Sequence, residues 1–71
     1  MIKYSGRFKC HLYGKITRDI KFIDSKVWAK AENEIEARKL ILAFESRKLK
    51  KDFPSYSVHD TIIEIKEVKN H

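Results

Sequence analysis

The sequence holds very few of the residues that punctuate or staple a small fold. Its 71 residues include two glycines, one proline and one cysteine. A lone cysteine, Cys10, makes no internal disulfide, so stability has to come from a core, and nothing marks an oxidising compartment. Gly6 and Gly14 stand eight residues apart and leave no glycine-rich phosphate loop. There is no Cys-x-x-Cys pair, and Cys10 and His11, sequential on a strand, diverge too far to share a metal. No apolar run approaches the ~18 residues of a membrane span. The opening residues lack the apolar centre of a signal peptide. The expectation is a cytoplasmic chain, in a cell or an infected cell, with no membrane partner, no cofactor and no metal. At this length it reads as one domain, 1–71, with a modest core.

What the chain does have is one well-signalled helix, about 34–51. Asn33 is placed to cap it, accepting from the backbone N–H of Glu36. Glu32, Glu34 and Glu36 put negative charge at its start, and Arg47, Lys48, Lys50 and Lys51 put positive charge at its end, as the helix dipole favours. Pro54 closes the segment. Ala37, Leu40, Ile41 and Phe44 fall at i, i+3, i+4, i+7 and are expected to face a sheet. Ile35, Leu42 and Leu49 recur every seven residues well round from that stripe. They read either as a contact ridge for a partner or a second copy, or as half-covered edge residues of a small domain.

The rest reads as strand, about 2–13, 16–23, 27–31 and 57–68. Along the first, Ile2, Tyr4, Phe8, Cys10 and Leu12 share an apolar face, and Lys3, Ser5, Arg7, Lys9 and His11 share the other. Gly6 lies on the apolar face, which suggests a bulge or close approach of the helix. After a turn at 13–15, Ile20 and Phe22 continue an apolar face that Arg18 interrupts, with Lys21 opposite. The parity then slips, so that Val27, Ala29 and Ala31 become the inward set and Trp28 lies opposite them. A turn or bulge at 24–26 accounts for the slip. In the last strand Ile63 and Ile65 point one way, and Glu64 and Lys66 the other. Lys69-Asn70-His71 reads as a frayed end. The sum is an α+β, two-layer β-β-(β)-α-β domain, with an antiparallel sheet of three or four strands packed by one helix.

The net charge is +6, and residues 1–23 alone carry +5, from Lys3, Arg7, Lys9, Lys15, Arg18 and Lys21 against Asp19. A basic excess favours anionic partners and argues against an acidic mimic of DNA. No arrangement of nucleophile, base and orienting group emerges. His59-Asp60-Thr61 contains acid–base groups, but neighbours on a strand diverge, so no enzyme is read here. The candidate nucleic-acid-binding residues are Lys3, Arg7, Lys9, His11, Lys15 and Lys21 on the solvent face of the N-terminal hairpin, with Tyr13 available to stack on a base. Arg47, Lys48, Lys50 and Lys51 form a second basic patch. Aromatic interleaving on this face is thin, since Tyr4 and Phe8 belong to the core. Lysine-rich strand faces also serve solubility and guard sheet edges.

Ser5-Gly6-Arg7-Phe8, Glu32-Asn33-Glu34, Ser46-Arg47-Lys48 and Ile63-Glu64-Ile65-Lys66-Glu67-Val68 together loosely resemble archaeal large-subunit ribosomal proteins of the LX group. The loop around Phe53-Pro54 is longer than in that group, and no residue role is carried across. Two function classes therefore stand. One is a small basic module that contacts RNA or DNA, or joins a nucleoprotein complex, through the hairpin face. The other is a protein-binding regulator or inhibitor, of the kind phages encode, acting on an acidic or apolar protein surface through the Ile35/Leu42/Leu49 ridge or a sheet edge. A homodimer formed through that ridge is a third arrangement.

Overall fold

The computed structural model describes residues 1–69; the expectation for Asn70 and His71 lies outside them. The element order is β1 (Ile2–Gly14), β2 (Ile20–Ala31), α1 (Glu34–Asp52) and β3 (Tyr56–Glu67). The strands form one antiparallel sheet in the order β2-β1-β3, with the helix on one face, a small α+β domain.

The alternation of β1 survives intact: Tyr4, Phe8, Cys10 and Leu12 are buried beneath the helix. The expected break at 24–26 does not occur. β1 and β2 pair one to one from Ile2↔Ala31 to Tyr13↔Ile20 without a bulge, so the segments read as 16–23 and 27–31 merge, from Ile20 onward, into one strand, and residues 16–19 belong to the turn. Because directly opposed residues share a face, Ile20 and Phe22 lie on the side away from the helix and Lys21 lies on the helix side, opposite Leu12. The hairpin turn takes residues 15–19. Arg18 adopts a left-handed conformation there (φ 59°), and Gly14 N–H donates to the Asp19 carbonyl at 2.8 Å.

The real bulge is in β3. Lys9 faces Ile62 and His11 faces His59, so Asp60 and Thr61 together oppose Cys10, with Asp60 at φ 54°. Asp tolerates the left-handed region better than most residues because its short polar chain can bond locally. Gly6 answers a different constraint. A Cβ there would stand 1.8 Å from the Glu64 carbonyl oxygen, so it is the β3 backbone, not the helix, that approaches.

The helix begins as its caps require: the Asn33 side chain accepts from Glu36 N–H at 2.9 Å, and Phe53 N–H closes the far end on the Leu49 carbonyl at 2.7 Å. Its buried stripe is Ala37, Ile41, Glu45 and Leu49. Leu40 and Phe44, expected inside, are exposed, and Leu49, expected on an outer ridge, is 5% exposed. A step of four residues advances 40° beyond a full turn, so a stripe with this period winds round the helix and fits an oblique crossing of the sheet. The Ile35/Leu42/Leu49 ridge thereby loses one of its three members.

Candidate nucleic-acid interface

The sheet face away from the helix is open, and the pairing arranges it in rungs about 6.7 Å apart, two residues of strand. From the end nearest the helix start these are Lys30–Lys3, Trp28–Ser5–Lys66, Lys26–Arg7–Glu64, Asp24–Lys9–Ile62, Phe22–His11–His59 and Ile20–Tyr13–Ser57, each read β2 to β1 to β3. The last two rungs reach β3 in this order only because the Asp60-Thr61 bulge turns His59 and Ser57 onto this face.

The first three rungs carry most of the charge. On the six rungs together, six cations stand against two carboxylates. Arg7 donates to Asp24 at 3.2 Å and Lys9 to Glu64 at 3.0 Å, so two of the expected phosphate contacts are already partnered. Lys3, Lys26, Lys30 and Lys66 form no ion pair among the described residues. Lys3 instead holds its ammonium 5.2 Å from the centre of the Trp28 ring, a contact that leaves the charge available to an anion.

The far rungs carry rings. His11 and Phe22 lie 5.4 Å apart between centroids, and Tyr13 and His59 lie 4.6 Å apart. Trp28 is 63% exposed, Phe22 60% and Tyr13 41%, so three aromatic side chains present area to solvent on this face. Trp28, Phe22, Lys26, Lys30 and Lys66 were all missed as site residues. The signal was present: once Val27, Ala29 and Ala31 are inward, period two puts Lys26, Trp28 and Lys30 outward, and an uninterrupted strand carries Phe22 with them.

The other expected contacts are scattered. Lys15 sits in the hairpin turn, its backbone N–H bonded to the Ser55 carbonyl at 2.8 Å. Lys21 is on the helix side, 3.9 Å from the Asp19 carboxylate and 5.7 Å from the centre of the Tyr56 ring, and so cannot join Arg7 and Lys9. Arg47 and Lys48 line a groove of about 570 Å³ between the helix and β2, while Lys50 and Lys51 occupy the last helical turn, on the opposite layer from the open face.

The titratable groups form two separate pairs. Ser57 Oγ is 2.9 Å from His59 Nε2, and Asp60 approaches His11 Nδ1 at 3.3 Å, off the ring's hydrogen-bonding direction, which leaves that nitrogen without a hydrogen bond. Asp60 therefore partners His11, and among the described residues no relay joins Ser57, His59 and Asp60. The Cys10 thiol is buried, and burial followed by the charge of Glu45 pushes its pKa up, which makes it a weak nucleophile. Among the described residues no three His, Cys, Asp or Glu side chains gather as a metal site, and no helix is long and apolar enough to cross a membrane.

Fold and face together define a three-stranded α+β domain with one sheet surface uncovered, its cations gathered at one end around Trp28 and its other aromatic rings at the far end. Comparison with known families, characterised proteins and solved structures returns no match.

Proposed function

We propose that the open sheet face binds single-stranded nucleic acid with little sequence preference. The observation that supports this reading most is the exposure of Trp28, Phe22 and Tyr13 on the same face as Lys3, Lys26, Lys30 and Lys66, which form no ion pair among the described residues. Bases present flat surfaces to aromatic rings whatever their identity, and regularly spaced ammonium groups follow a phosphate chain. A duplex hides its base faces and gains only from the lysines, so single strands are preferred. The helix-ridge reading has less to stand on, since Leu49 is in the core.

Titration into labelled single-stranded and duplex oligonucleotides at two salt concentrations tests the assignment. Affinity for single strands falls with salt, and Lys26→Ala/Lys30→Ala lowers the logarithmic salt slope by about 1.4, at roughly 0.7 per phosphate contact. Trp28→Ala weakens binding roughly 5- to 150-fold, the loss of one stacked base. Absence of binding at low salt overturns the proposal, as does a Trp28→Ala variant that binds like the parent.

A further inference from the structure

The two edges of the sheet are built differently. β3 is interrupted by the Asp60-Thr61 bulge, and the Arg38 guanidinium donates to the Ile63 carbonyl of the same strand. Bulges and nearby charged side chains are the devices that blunt an edge against pairing. β2 has neither. It runs twelve residues without a bulge and pairs, among the described residues, only with β1. Beside it the helix leaves Leu40 and Phe44 exposed, flanking the groove along Lys26–Lys30.

We infer that β2 pairs antiparallel with the β2 strand of a second copy of this chain, about a twofold axis at Ser25, giving a continuous six-stranded sheet. The register follows from the sequence. With both helices on one side of the joined sheet, residues of like parity must oppose each other. An axis at Ser25 sets Asp24 against Lys26, Phe22 against Trp28 and Ile23 against Val27, each pair occurring twice. Moving the axis to residue 24 or 26 sets Asp24 against itself or Lys26 against itself. Moving it to residue 27 puts Phe22 against Glu32. The chosen register thus matches opposite charges, aromatic rings and aliphatic chains at once. The two helices come side by side, and Leu40 and Phe44 are the side chains that neighbour would cover. The interface is isologous and closes on itself, so it ends at two copies. The inference does not depend on the nucleic-acid reading.

A charge-swap cycle read by analytical ultracentrifugation tests it, with circular dichroism confirming that each variant folds. The parent sediments as a concentration-dependent dimer. Asp24→Lys sets like charges opposite each other twice, as does Lys26→Asp, and each weakens dimerisation roughly tenfold or more. The Asp24→Lys/Lys26→Asp double variant restores it. A parent that remains monomeric at all accessible concentrations overturns the inference and leaves the edge to some other strand. Single variants that dimerise like the parent, or a double variant that stays monomeric, overturn the register.

Discussion

Asp19 shows how much one side chain in a turn can organise. The Thr17 hydroxyl and the Tyr56 phenol both donate to its carboxylate, the phenol at 2.8 Å to one oxygen, and Lys21 stands 3.9 Å away. The Thr17 bond first, then Tyr56, hold the Asp19 pKa below the usual carboxylate value. A carboxylate whose pKa is lowered by folding stabilises the folded state fully above its unfolded pKa, and that contribution is lost as pH falls through the folded value. Urea denaturation across the acid range should therefore find Asp19→Asn less stable than the parent at neutral pH, with the gap closing on acidification. A gap independent of pH would assign the effect to geometry rather than ionisation. Gly6 is the other position where a single residue decides the fold, since any Cβ would meet the β3 backbone.

At the level of elements, the helix divides cleanly into residues that matter for stability and residues that do not. Leu49→Ala should cost about 2–5 kcal/mol, as a buried leucine truncated in a core, while Leu42→Ala, at a 43% exposed position, should stay within about 0.5 kcal/mol. Chemical denaturation of the two variants separates them, and comparable losses would contradict the assigned helix face. The helix boundaries were legible because caps and dipole charges are local signals carried by Asn33, Glu34, Glu36, Lys50 and Lys51. Its buried face was not, because a stripe containing Glu45 and omitting Phe44 runs against hydrophobicity; the angle at which the helix crosses the sheet decides it. β1 was legible because its alternation is unbroken. β2 was misread because Ile20 and Phe22 are apolar yet face outward, so an apparent slip in parity at 24–26 was really a change in which face carries the apolar residues. The β3 bulge had no glycine to announce it, and with it went the placement of His59 and Ser57 on the candidate face.

The whole molecule is long and narrow, 48 × 16 × 16 Å, and its central strand is its first. β1 finds one neighbour immediately, across a short turn, and the other only after the helix has been made. Non-local pairing of this kind slows folding relative to helical bundles of equal size. It also concentrates protection: amide hydrogen exchange should be slowest between Tyr4 and Leu12, where the strand is paired on both sides, and faster along β2 and β3. Equal protection of all three strands would mean that their outer edges are covered in solution, which for β2 is the condition set by the twofold pairing.

Trp28 is the only tryptophan in the chain, and it stands on the open face with Lys3 above its ring. Excited at the red edge of the aromatic absorption, where the three tyrosines absorb little, the protein emits from one known spot, with no label attached. A base stacked on that ring would quench it, and a Phe22 ring arriving from a neighbouring copy would alter its solvation. The two events differ in how they scale, one with added oligonucleotide and the other with protein concentration, so a single cuvette can tell them apart.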